Sequence, residues 1–177
     1  MEESKIAFCS LDEQLFERYI LVGTVAYNQH YLHLWKDGNS DPYIKTSFTK
    51  AVLQMEMQDT NTELFLIKEE TTAVGILKLD LYKRLDSYNE KEALLLDKIY
   101  LLKEYTGKGI GKKALDFAET RARNLNKKIL WLDTMKNGPA LQFYLKNGFK
   151  IHGETKLPFP ETIVSERPMY ILTKNLR

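Results

Sequence analysis

Apolar residues change their spacing as this chain proceeds. Leu11, Leu15, Tyr19 and Val22 recur at the interval of one helix face. Ser10-Leu11-Asp12-Glu13 has the form of a capping box at the start of that helix. A second helical stretch is predicted over 28–35, and Lys36 to Pro42 form a turn cluster. A third helix follows over 43–58, with Ile44, Phe48, Val52 and Met55 on one face. Residues 4–9 read as a short first strand. Beyond residue 60 the pattern becomes β-rich. Residues 63–68 and 73–82 form an antiparallel hairpin across Glu69-Glu70-Thr71-Thr72. Residues 92–102 are a nearly continuous apolar run, as expected of a central strand.

The clearest helix spans 109–125, where Ile110, Ala114, Phe117, Ala118, Arg121 and Leu125 repeat near 3.6 residues. Residues 129–132 are a buried strand. A short helix begins at Asn137-Gly138-Pro139 and ends at Asn147-Gly148, with proline in its first turn and glycine just past its end. Residues 149–153 and 169–173 close the sheet around a loop holding Pro158, Pro160 and Pro168. The strand-helix-strand unit over 92–132 is a right-handed parallel crossover flanked by antiparallel hairpins. The fold class is therefore α/β (α+β), a mixed sheet with helices on both faces. No linker or repeat divides it, so residues 1–177 are read as one domain.

Composition narrows the functions. The 177 residues carry 26 basic and 24 acidic side chains, a net charge of +2. This balance lacks the electrostatic footprint of a nucleic-acid or anionic-membrane binder. Cys9 is the one cysteine, which leaves no intrachain disulfide and no cysteine-based zinc site. His30 and His33 have no carboxylate or cysteine partner at ligand spacing, so no metal is expected. The first residues lack a secretory pattern and no run approaches a membrane span, so a cytoplasmic location is expected.

Thr106-Gly107-Lys108-Gly109-Ile110-Gly111-Lys112 joins the central strand to the clearest helix. Glycines there let backbone N–H groups converge on phosphate oxygens, and the helix N-terminus adds partial positive charge. The dinucleotide pattern G-x-G-x-x-G fails: from Gly107 the sixth position is Lys112, and from Gly109 it is Ala114. No glycine begins a nucleotide P-loop. A third pattern, [Gln/Arg]-x-x-Gly-x-[Gly/Ala], fits at Gly109 and Gly111, with Thr106 in place of Gln or Arg.

With this loop, the chain resembles the GNAT superfamily of N-acetyltransferases. Three blocks in order carry the resemblance: Leu96-Asp97-Lys98-Ile99-Tyr100-Leu101, the glycine loop with its helix, and residues 137–149, which look like N-x-x-A-x-x-[FL]-Y-x-x-x-G-F. They cover 94–153, about a third of the chain. A weaker resemblance is to bacterial polyamine-type members.

The resemblance implies a mostly antiparallel GNAT sheet with a central splayed parallel strand pair. It implies acetyl-CoA as co-substrate. The pantetheine arm would pair with backbone of Ile99, Tyr100 and Leu101, one of whose N–H groups would bind the acetyl oxygen. The pyrophosphate would rest on Thr106, Gly107, Lys108, Gly109, Ile110, Gly111 and Lys112. Asn137 would contact the CoA arm, cap the short helix, or both. Tyr144 would donate to the departing thiolate; the alternative is a core aromatic beside Leu141 and Leu145. The acceptor amine must lose a proton, and Asp97 is the candidate base, set by strand alternation on the face of Ile99. The competing reading is an Asp paired with Lys98 or another cation. Asp133 is a second candidate, for binding the amine. The aromatics Tyr27, Tyr31, Trp35, Tyr43 and Phe48 either shape an acceptor pocket or fill the core. The implied function is N-acetyl transfer to a primary amine, first of all a small one such as a polyamine. Protein or peptide acceptors and a non-catalytic acyl-CoA sensor are the alternatives. Neither nucleic acid nor membrane is an expected partner, and a homodimer is left open.

Overall fold

The computed structural model describes residues 5–177. Its seven strands are β1 (Ile6–Ser10), β2 (Thr62–Glu69), β3 (Thr72–Asp80), β4 (Ala93–Leu101), β5 (Ile129–Met135), β6 (Lys150–Lys156) and β7 (Pro168–Asn175). They form one sheet in the order β1-β2-β3-β4-β5-β7-β6. Only β4 and β5 are parallel; all other neighbours are antiparallel. Five helices cover it: α1 (Phe16–Tyr31), α2 (Asp41–Ser47), α3 (Lys50–Gln58), α4 (Ile110–Asn124) and α5 (Pro139–Lys146). Ser4, at the head of the expected first strand, lies outside the described residues.

The two sheet faces bury separate cores. Ile110, Ala114, Leu115 and Ala118 of α4 and Leu141 of α5 pack on one face, against Leu77, Leu94, Leu96 and Leu130. Tyr19 and Val22 of α1, with Leu53 of α3, pack on the other against Leu64, Leu66 and Ile76. Burial on this scale is the main stabilising term of such a domain.

Three expectations change. Ser10 ends β1, and Asp12 instead caps the first turn by accepting from Leu15 N–H at 3.1 Å. The two predicted helical stretches before residue 35 join as α1, which runs through Gly23 and on into a 3-10 turn at Leu32–Leu34. Gly23 is there for space, since a Cβ would lie 2.6 Å from the Phe48 ring. The third predicted helix is two, α2 and α3, because the chain leaves helical geometry at Phe48, the C-cap of α2, and Thr49 caps α3, its hydroxyl accepting from Val52 N–H at 3.2 Å.

The central strands position everything that follows. Parallel pairing joins Ala93 to Ile129, Leu94 to Leu130 and Leu95 to Trp131, and stops there. On the other edge of β4, Lys98 pairs with Lys78 and Leu96 with Leu79, so Asp97 is an extra residue, a β-bulge. A bulge bends its strand and increases local twist. β4 therefore leaves β5 immediately after the third pair, while β5 continues along β7 to Met135.

Candidate active site

The bulge also reverses the alternation of β4. Before it, Leu94 and Leu96 face the α4 side; after it, Ile99 and Leu101 do. Asp97 is thus not on the face of Ile99, contrary to the alternation rule. It faces α3, where Lys98 donates to it at 2.5 Å and Lys78 lies at 3.2 Å. Lys78 in turn donates to Glu56 of α3 at 2.7 Å and lies 3.9 Å from Asp80. Burial opposes the Asp97 charge, but Lys98 and Lys78 outweigh it and hold its pKa below the ordinary carboxylate value. Asp80 moves the other way, pushed up chiefly by burial.

This cluster has a measurable consequence. Asp97→Asn removes the anion that faces two lysines whose side chains are only 13% and 10% exposed. We expect a loss of about 2–4 kcal/mol in urea unfolding at pH 7. Because the folded pKa of Asp97 is depressed, its stabilisation is complete above the unfolded value near 4 and disappears as pH falls through the folded value. The difference between wild type and variant should therefore be flat from about pH 6 to 8 and shrink below about pH 4. A constant difference down to pH 3 would mean that the cost is not electrostatic.

Where β4 and β5 diverge, two cavities adjoin. One, of about 580 Å³, lies along the glycine loop, with Thr106, Gly107, Gly109, Gly111 and Lys112 on one side and Asn137 and Phe143 on another. The second, of about 270 Å³, is bordered by Tyr27, Tyr43, Asp97, Lys98, Asp133 and Phe159, among others. Tyr31, Ile99, Tyr100 and Tyr144 border both.

The first cavity has the backbone of an anion site. Gly107 and Gly109 adopt φ of +73° and +82°, and no atom lies within 4 Å of a Cβ built on either. Gly109 is the N-cap of α4, so the first amides of the helix have no intrahelical carbonyl to bond. Ile110 buries its side chain in the core while its amide stays in this first turn. Side chains do less here than expected. The Thr106 hydroxyl donates to Lys103 O at 2.7 Å, so its proton is already engaged. Lys112 is paired with Asp116, and Lys108 sits 5.0 Å from the centre of the Tyr105 ring. Asn137 is exposed and does not cap α5; the N-cap is Gly138, without a side-chain bond.

The strand backbone beside the gap is equally specific. Leu102 N–H donates to Val74 O at 2.9 Å, towards β3. Antiparallel alternation then turns the amides of Leu101 and Ile99 to the open edge and that of Tyr100 towards β3. Tyr100 therefore offers the gap its ring rather than its backbone. That ring's hydroxyl meets Tyr43 Oη at 2.7 Å. Two residues of α1 that sequence reasoning did not place in the site secure the strand end. His30 Nε2–H donates to Leu101 O at 2.9 Å, and Gln29 Oε1 accepts from Lys103 N–H at 2.8 Å. His33 lines the larger cavity as well. The spacing of the two histidines was visible, but not the docking of α1 on β4. Among the described residues no group of three or more His, Cys, Asp or Glu is arranged to hold a metal ion.

Tyr144 packs edge-on against Phe143 and Phe149, with centroids at 5.2 and 5.6 Å. Its hydroxyl forms no hydrogen bond within the described chain. Thr24 Oγ1 is the one buried side-chain polar atom without a partner there, so the Tyr144 hydroxyl opens onto the cavities. Burial, then the nearby Tyr31 phenol, raise its pKa well above the ordinary value. Of the early aromatics, Trp35 and Phe48 fill the core, whereas Tyr27, Tyr31 and Tyr43 border the smaller cavity.

Comparison with known proteins decides the family. The sequence model of the Acetyltransferase (GNAT) family matches residues 27–149. The chain belongs to the GNAT acetyltransferase family. It is 27% identical over 107 residues to an uncharacterized N-acetyltransferase in the pepI 3′ region of Lactobacillus delbrueckii subsp. lactis, covering 60% of this chain and 62% of that one. It is 30% identical over 99 residues to a probable spermine N(1)-acetyltransferase of Bacillus subtilis subsp. natto (strain BEST195), covering 55% of this chain and 65% of that one. The chain thus matches under two thirds of the length of these relatives. Among solved structures, PaiA N-acetyltransferase from Thermoplasma acidophilum, in complex with coenzyme A, superposes with a TM-score of 0.75 at 20% identity, covering 97% of this chain and 99% of that one. A GNAT acetyltransferase of Elizabethkingia anophelis with acetyl-CoA bound gives 0.64 at 19% identity, covering 99% of both chains. These last two likenesses establish the fold, a GNAT sheet with its parallel pair splayed. No helix among the described residues is long and apolar enough to cross a membrane.

Proposed function

We propose that this protein transfers an acetyl group from acetyl-CoA to a small primary amine, with polyamines the first acceptor class, by direct attack in a ternary complex. The observation that carries the proposal is the meeting of two cavities at Tyr144, one along a glycine loop and the other walled by tyrosines and carboxylates. The relative named as a probable spermine N(1)-acetyltransferase supports the polyamine class.

Acetyl-CoA supplies an acyl carbon open to attack and a thiolate leaving group; the chain must bind, align and manage protons. The amides of the 107–112 loop receive the pyrophosphate, together with the partial charge of the α4 N-terminus. The unfilled space over Gly107 and Gly109 leaves room for that approach. Lys108 and Lys112 can turn from their local partners to the phosphates, and Asn137 reaches the CoA arm from the α5 side. The open-edge N–H of Ile99 or Leu101 donates to the acetyl oxygen, where negative charge develops. The Tyr144 hydroxyl donates to the sulfur. Its raised pKa keeps it in donor form, so it meets the departing thiolate, whose thiol titrates near about 8.5, by a hydrogen bond. An alkylamine titrates near about 10.4, so attack requires loss of a proton. Asp97 receives it through water, although the two lysines make it a weaker base than an ordinary Asp.

The test pairs binding with turnover. CoA at 100 times its Kd should stabilise the fold by about 2.7 kcal/mol, a rise in Tm of roughly 5–10 °C. Acetyl-CoA should release free thiol with spermidine, spermine or simple monoamines. Release only with lysine peptides would move the acceptor to proteins. A Tm rise with no release for any amine would make the protein a sensor. A Tm rise with ATP or NADH but not CoA would remove the co-substrate assignment.

A further inference from the structure

We infer that Asp133 holds the ammonium group of the acceptor, with the rings of Tyr31, Tyr43 and Phe159 forming the wall against which the body of the amine lies. The inference rests on the acetyltransferase reading above and adds a residue which that reading does not use.

Two carboxylates border the smaller cavity, and their surroundings differ. Asp97 is paired with Lys98 and Lys78, so its charge is spent inside the protein. Asp133 stands on β5 beyond Trp131, the last residue joined to β4, at the start of the gap. Its backbone pairs with Ile171 on the far edge. Its side chain has no hydrogen bond and no ion pair with any described residue. Asp133 is exposed, and partial desolvation first, then Asp97, raise its pKa, as expected for an anion that lacks a cation. Of the lysines on the cavity wall, Lys98 is committed to Asp97, and Lys156 is exposed and has no ion pair among the described residues.

The aromatic wall suits the same guest. Tyr43 stacks on Tyr27 at 4.1 Å and meets Phe159 edge-on at 5.9 Å. Tyr43 is also held by the Tyr100 hydroxyl. Fixed ring faces attract an ammonium and pack the methylenes beside it. A cation entering this cavity meets one carboxylate without an ion pair, Asp133, with the exposed Lys156 the one lysine on the wall that has no ion pair among the described residues.

Asp133→Asn keeps the shape and deletes the charge. Loss of a charged hydrogen bond should raise KM for spermidine or phenethylamine about 10- to 100-fold. Because the contact exists before and during attack, kcat should stay within about threefold. CoA affinity by calorimetry should be unchanged, which also shows that the variant folds. Asp133→Glu should recover part of the loss. An unchanged KM in Asp133→Asn overturns the inference, as does a fall in kcat alone. If wild type released no thiol with any amine, the proposed activity would fail, and the inference would be decided separately. Spermidine and phenethylamine would then be titrated calorimetrically into the CoA-saturated protein. Binding of at least one amine that weakens 10- to 100-fold in Asp133→Asn supports the inference. Equal binding, or no binding of either amine to wild type, overturns it.

Discussion

Tyr144→Phe should reduce turnover by about 10²-fold while leaving CoA affinity within about twofold. The change deletes one hydroxyl that has no partner within the described chain, so no internal hydrogen bond is lost with it. The ring keeps its edge-on contacts with Phe143 and Phe149. Packing is therefore preserved, and thermal stability should move by less than about 1 kcal/mol. The loss in rate corresponds to about 2.7 kcal/mol of stabilisation present in the transition state and absent before it. Single-turnover thiol release at saturating acetyl-CoA separates this step from product release. A change in CoA affinity equal to the change in rate would mean that the hydroxyl serves binding. An unchanged rate would reduce Tyr144 to a wall residue between the cavities.

Local chemistry was enough to locate the glycine loop, α4, the β2–β3 hairpin and α5. Each of these is encoded within a short window: left-handed glycines ahead of a 3.6-residue stripe, two β-rich runs around a tight turn, and proline and glycine at opposite helix ends. The features that escaped depend on partners distant in the chain. Nothing near Gly23 in the chain shows that Phe48 needs its space, so the continuity of α1 through it was not visible. The break between α2 and α3 has a visible cap, Thr49, but an apolar stripe continues across it and conceals it. The bulge at Asp97 exists only in register with β3, where Lys78 opposes Lys98 and Leu79 opposes Leu96. Strand alternation alone consequently put Asp97 on the wrong face. The same one-residue shift opens the strands just beyond Leu95, so what misled the reading is also what builds the gap. His30 shows the same limit, because its bond to Leu101 O joins positions 71 residues apart.

Gly109→Val tests the other half of the site. The native φ of +82° lies in the left-handed region, which a β-branched residue resists. Strain of about 1–3 kcal/mol is expected, so Tm should fall by several degrees while the far-UV circular dichroism spectrum at 25 °C stays native. The second effect is larger. Nothing lies within 4 Å of a Cβ at this position, which is the N-cap of α4, next to the helix's first amides. Valine methyls there would stand between the amides and any phosphate, and CoA affinity should fall by about 100-fold or more, some 2.7 kcal/mol. Strain and obstruction are separable, because Asn tolerates positive φ far better than Val. Gly109→Asn should regain most of the lost stability, yet it still places a side chain in the cradle and should bind CoA well below wild type. Calorimetric titration of both variants decides the matter. If Gly109→Asn restored CoA binding in proportion to stability, the loss in Gly109→Val would come from a distorted helix start, and the open space over the loop would have no part in holding phosphate.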